Sequence, residues 1–162
     1  DLHSFPTRRS SDLKLIFEEV NSTINPFYHF AFNIPFNKFQ EAIDSFKKKV
    51  ELLWLEDYDR YSAHFVNWNA QSFYFLDPAG NIVELIARFD LNDNATEPFS
   101  TRLIRNISEI GLVFPKENFD IEVNEFLKRY PVTYFNKQPP MPQFRAIGND
   151  EGLFIIVHEN RI

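Results

Sequence analysis

Residues 73–88, FYFLDPAGNIVELIAR, decide how the rest of the chain is read. An alternating aromatic run leads into Asp77-Pro78-Ala79-Gly80-Asn81, and an apolar run follows that Glu84 interrupts. Pro78 presets a negative φ and Gly80 permits a positive one, so the spacing predicts a β-hairpin with a tight connection. In the second strand Val83, Leu85 and Ala87 face one way, and Glu84, Ile86 and Arg88 the other. A carboxylate there costs several kcal/mol if it is desolvated and unpaired. Glu84 therefore needs a partner: Arg88 on the same face, another cation, or a bound metal.

Composition narrows the function classes. At 162 residues the chain can bury a core as one compact domain or two small modules. Aromatic residues make up 17%, with 19 Phe, which points to packed sheets and helices rather than disorder. The net charge is −6 and the one basic cluster, Lys47-Lys48-Lys49, falls on a predicted helix face, so nucleic acid is not an expected partner. The absence of Cys excludes disulfides, thiolate metal sites and thiol nucleophiles. No apolar run approaches the roughly 20 residues that span a bilayer, so a soluble, cytoplasmic protein without a membrane partner is expected.

Upstream of the hairpin, FYHFAFNI (27–34) reads as a strand that Pro35 ends. Phe30, Phe32 and Ile34 share one face; His29, Ala31 and Asn33 share the other. Asn37 with Gln40 is a capping-box pattern. Phe39, Ala42, Ile43, Phe46 and Val50 then recur with helical spacing, which predicts an amphipathic helix over 37–50. AHFVNWN (63–69) reads as a strand. Residues 90–101, rich in Asp, Asn and Thr, form a linker. The first 13 residues are basic, serine-rich and without periodicity; they resemble a translated sequencing adapter, are expected to be loose, and are set aside. KLIFEEV (14–20) reads as a short strand left from a preceding module, so a truncated N-terminal module is one expectation.

Beyond the linker the pattern repeats. Residues 109–115 line up with His29 to Pro35 at an offset of 80, which carries Phe119, Val123 and Phe126 onto Phe39, Ile43 and Phe46. A second helix is predicted over 118–129, stopping before Pro131. Aligning Gly152 with Gly80 lowers the offset to 72 and sets Ile156 opposite Glu84. The expected buried set is Phe30, Phe32, Ile43, Phe46, Val83, Leu85, Leu112, Val123, Phe126 and Ile155.

The Asp77 to Asn81 turn leading into a strand that carries Glu84 resembles the signature of the vicinal oxygen chelate superfamily, which includes glyoxalase I, bleomycin- and fosfomycin-resistance proteins and extradiol dioxygenases. The resemblance covers about 27–162. It implies an α+β fold of tandem βαβββ modules, 27–90 and a degenerate 105–162, with mixed curved sheets and one helix each. It also implies a divalent metal, held by ligands from the first and last strands of each module. His29 and Glu84 match that pattern in residue type. Glu109 matches in position, and the fourth place is an Ile. A His29, Glu84, Glu109 set is one reading; His29 and Glu84 completed by a lost module is the other. Metal identity stays open among Zn, Ni, Mn, Mg and Fe.

By the same resemblance Glu84 is the candidate catalytic carboxylate, able to ligate or to move a proton. His64, Trp68, Phe73 and Arg88 are candidates for the substrate cleft. His29, His64 and Glu84 together would meet the two-His, one-carboxylate demand of iron(II) oxygen chemistry. The implied function is a metal-dependent glyoxalase-like lyase or isomerase, or a dioxygenase, acting on a small oxygenated molecule. A metal-free small-molecule binder of the bleomycin-resistance type, or an inactive fragment, is the alternative. The expected partner is a small-molecule substrate or ligand, with a homodimer allowed.

Overall fold

The computed structural model describes residue 16, residues 27–58 and residues 60–159. The 1–13 leader and, except for Ile16, the 14–20 strand lie outside the described residues. The elements run β1 (His29–Asn33), α1 (Phe39–Phe46), β2 (Ala63–Phe65), β3 (Ala70–Leu76), β4 (Ile82–Arg88), β5 (Ile107–Phe114), α2 (Phe119–Arg129), β6 (Phe144–Asn149) and β7 (Gly152–His158).

All seven strands join one mixed sheet in the order β2-β3-β4-β1-β5-β7-β6. β1 pairs with β4, and β5 with β7, in parallel across their helices, while β1 and β5 join the two halves antiparallel. The tandem α+β architecture expected from the sequence is thus present. The second half is shortened: where the first has β2, it has only a bridge from Tyr134 to Ile147.

Each helix packs its apolar stripe on the same side of the sheet. Phe39, Ala42, Ile43 and Phe46 of α1 bury against Phe73, Leu85 and Ala87. Phe119 and Val123 of α2 bury against Ile147 and Ile156. Both helices begin in a 3-10 turn, and neither has a side-chain cap. The capping role expected of Asn37 is a correction: its amide instead exchanges hydrogen bonds with the Ala95 backbone, at 2.9 and 3.0 Å, and pins the linker to α1. Of the expected core, Phe32, Leu112 and Phe126 are only half-buried; the others are buried.

The Asp77–Asn81 turn sets the register of β4. Asp77 Oδ1 accepts from the backbone of Ala79 and Asn81, at 2.8 and 2.9 Å, and Gly80 takes the positive φ of 86° that the turn requires. Asn81 Oδ1 in turn accepts from the Tyr28 backbone at 2.9 Å, locking the turn to the start of β1.

The register of β7 corrects one sequence expectation. His29 pairs with Ile82, and its repeat counterpart Glu109 pairs with Leu153, so the last strands align at an offset of 71, not 72. Ile155, not Ile156, occupies the place of Glu84. The cause is turn length: Leu76 and Ile82 flank five residues, whereas Asn149 and Gly152 flank two. A one-residue slip moves every side chain to the other face.

The opposite face of the sheet is concave. β2 and β6 are its two edges, yet Trp68, just after β2, meets Phe135 edge-on at 5.3 Å and lies 6.5 Å from Phe144 of β6. The indole N–H of Trp68 also donates to Gln138 at 3.1 Å. The sheet therefore rolls until its edges meet over a cleft. Among the described residues, no helix is long and apolar enough to cross a membrane.

Candidate metal centre

β1 directs His29 and Ala31 to the concave face. Glu84 on β4 is the cross-strand partner of Ala31 from one side, and Glu109 on β5 from the other. Both carboxylates therefore flank one small residue, with His29 a pleat away on the same strand. Nε2 of His29 stands 3.3 Å from Oε2 of Glu84 and 4.0 Å from Oε2 of Glu109. One ligand atom from each of the three residues lies within 4.8 Å of the others. The carboxylates are buried, while the imidazole side chain keeps 23% exposure toward the cleft.

The other oxygen of each carboxylate is held from behind. The Tyr74 hydroxyl donates to Oε1 of Glu84 at 3.0 Å and accepts from Ser72 at 3.0 Å. Arg88 donates through Nη2 to Oε1 of Glu109 and through Nε to Ser108 at 3.1 Å. Each glutamate thus turns its Oε2 toward the imidazole, and that of Glu84 is close enough to accept from it. Fixed outer donors of this kind orient metal ligands.

Charge is finely balanced here. Burial and the charge of Glu84 push the Glu109 carboxyl up to about 8, against the pull of Arg88 and His29. Burial opposes charge on His29, but the Glu84 hydrogen bond and the charges of Glu84 and Glu109 outweigh it and raise its pKa. Burial, then the Glu84 charge, carry Tyr74 well above the usual phenol value, so it remains a neutral donor. Two buried carboxylates and a half-open imidazole converging on one point suit a divalent ion with oxygen-rich coordination, which would replace the proton that the imidazole otherwise holds.

The centre forms the floor of a cleft of about 490 Å³, walled by His64, Phe65, Trp68, Gln138, Met141 and Phe144. His64 and Trp68 are both among the residues lining the cleft. His64 is on the edge strand β2 and is not one of the three converging ligands, so the His29, His64, Glu84 triad is not assembled. Phe73 is a correction: it pairs with Leu85 on the helix face and packs between Phe39 and Phe46, at 5.9 and 5.7 Å. Arg88 lies beneath the wall, its guanidinium 5.4 Å from the Trp68 ring, and is fully buried. It pairs with Glu109 and not with Glu84, for which it was one of the partners considered. His158 is buried edge-on to Phe119. Tyr74, Ser108 and Gly111 were missed. The alternation of β3 places Tyr74 opposite Glu84, a signal that was present once the hairpin had been assigned.

No protein-family model and no curated protein matches the sequence. Among solved structures, the chain superposes on a proposed dioxygenase of Bacillus subtilis subsp. subtilis with a TM-score of 0.53 and 11% identity, covering 82% of this chain and 40% of that one. This chain spans less than half the length of that structure. A looser superposition, TM-score 0.48 at 11% identity, is on methylmalonyl-CoA epimerase of Mycobacterium tuberculosis, covering 87% of this chain and 92% of that one.

Proposed function

We propose that this chain, whose fold is that of the vicinal oxygen chelate superfamily, is a divalent-metal enzyme acting by proton transfer on a small molecule with two adjacent oxygens. The observation that carries this reading is the convergence of His29, Glu84 and Glu109 on the floor of a cleft, one ligand atom of each within 4.8 Å of the others. These three would hold the ion. When bound, it would act as a Lewis acid toward a substrate oxygen and stabilise an enolate or oxyanion.

The chain's own residues do the rest. Glu84, held by Tyr74, stays oriented toward the centre. Glu109, held by Arg88, would serve as the second carboxylate ligand; without an ion, burial and the Glu84 charge push its carboxyl up to about 8, so its proton leaves on ligation. Proton transfer to and from the substrate is assigned to Glu84, as the sequence suggested. Trp68, Phe65 and Phe144 exclude water from one wall and accept the apolar part of a ligand. A single imidazole with two carboxylates favours isomerase or lyase chemistry over iron(II) oxygen activation, which wants two His.

A metal-free binder is the second reading, favoured by one observation: each carboxylate already has an internal cationic or donor partner, Arg88 for Glu109 and His29 for Glu84. Calorimetric titration with Mn²⁺, Ni²⁺ and Zn²⁺ separates the two. We expect one site in the wild type, lost in His29→Ala and Glu84→Gln. A folded wild type that takes up none of the three ions hands the chain to the metal-free reading.

A further inference from the structure

We propose that Arg88 is a positioning residue for the metal centre, holding Glu109 to ligation through Oε2 alone. The inference rests on the metal reading above. Arg88 closes β4 and its side chain is 0% exposed. Its guanidinium is fixed from three directions. Ser108 accepts from Nε at 3.1 Å, Glu109 Oε1 accepts from Nη2, and Trp68 covers its face at 5.4 Å.

A fourth contact is slack. Nη1 stands 3.6 Å from Oδ1 of Asp150, too far for a hydrogen bond, and among the described residues neither atom has another hydrogen-bond partner. Asp150 itself is tied through Oδ2 to Lys137 at 2.6 Å. The guanidinium is thus anchored to the β6–β7 turn by charge rather than by a bond, and its firm hold is on β5 through Ser108 and Glu109.

The geometry decides the denticity of Glu109. With Oε1 committed to Arg88, only Oε2 faces His29, at 4.0 Å. A freed carboxylate, in a site without that clamp, could turn either oxygen or both toward an ion. A planar guanidinium can hold Ser108 and Glu109 at once from adjacent nitrogens. An ammonium on a flexible stem supplies the same charge without that fork. Charge and orientation can therefore be tested apart.

The experiment uses Co²⁺ with the full chain, following affinity by calorimetry and coordination by the visible spectrum. Arg88→Lys keeps the charge and loses the fork. We expect Co²⁺ binding about tenfold or more weaker, the scale of lost outer-shell support, with a spectrum altered from wild type. Ser108→Ala, a milder change that keeps Arg88, is expected to weaken binding in the same direction, and serves where Arg88→Lys does not fold. Wild-type affinity and spectrum in a folded Arg88→Lys, or in Ser108→Ala if that alone folds, overturn the positioning role and leave the metal reading standing. A wild type that does not bind Co²⁺ overturns both.

Discussion

Glu84 and Glu109 lie on strands that flank β1 from opposite sides, yet both are cross-strand partners of the same residue, Ala31. One neighbour runs parallel and the other antiparallel, so no local sequence pattern links the two carboxylates. Ala31 is fully buried between them, and its methyl group leaves the space in which both lean toward His29.

Ala31→Val fills that space. Two extra methyl groups in a packed position typically cost about 1–3 kcal/mol. We expect a lower melting temperature and, more tellingly, metal affinity reduced further than stability, because the carboxylates are forced apart. A valine variant that binds metal like wild type would show that the shared partner is incidental.

Gly111 supports His29 in a similar way. A Cβ built there would meet His29 Cβ at 3.1 Å and the His29 carbonyl oxygen at 3.2 Å, so β1 would have to yield by a few tenths of an ångström. Gly111→Ala should therefore displace the imidazole without touching the cleft. We expect metal binding weakened by about tenfold, with helix content unchanged by circular dichroism. Unchanged affinity would mean that the sheet absorbs the contact without moving His29.

Stability and metal affinity should run in opposite directions with pH. The folded-state pKa of Glu109 is raised from 4.5 to about 8, and that of His29 is raised from 6.5. For both groups the folded state binds protons more tightly than the unfolded one, so their contribution is fully present at low pH and lost as pH rises through the folded values. The metal-free protein should lose thermal stability between about pH 5 and pH 8. Ligation requires the same protons to leave, so affinity should climb across that window. Melting curves with and without Mn²⁺ that converge at acid pH and separate toward pH 8 would fit; a metal-free protein that gains stability toward pH 8 would not.

How much of this was legible in the sequence follows from range. The hairpin, both helices and the offset of 80 rest on local periodicity, and the structure contains them, although α1 runs only over Phe39–Phe46 and stops short of the expected 50. The parity of β1 and β4 placed His29 and Glu84 on one face correctly, because alternation is a property of each strand alone. Arg88 could not be assigned the same way. It shares a face with both glutamates, and only the β1–β5 pairing brings Glu109 within its reach. Phe73 pairs with Leu85 and so takes the helix face, a parity that an aromatic run alone does not reveal. The β7 register is hidden in the sequence because Gly80 and Gly152 belong to turns of different length.

That register supplies the last test. Ile155 stands in the place of Glu84 within the second repeat, lines the cleft and lies on the concave face. Ile156 faces α2 and is fully buried with Phe119 and Val123. Ile156→Glu should bury a carboxylate without a partner and destabilise the fold by roughly 4 kcal/mol or more, with no rescue by metal. Ile155→Glu should also destabilise the metal-free protein, since it adds a third carboxylate beside two others. There, however, an added divalent ion gains a ligand, so the rise in melting temperature on adding Mn²⁺ should exceed that of wild type. A larger metal-induced rise in Ile156→Glu than in Ile155→Glu would show that the repeat is offset by 72 after all, and would remove Ile155 from the site.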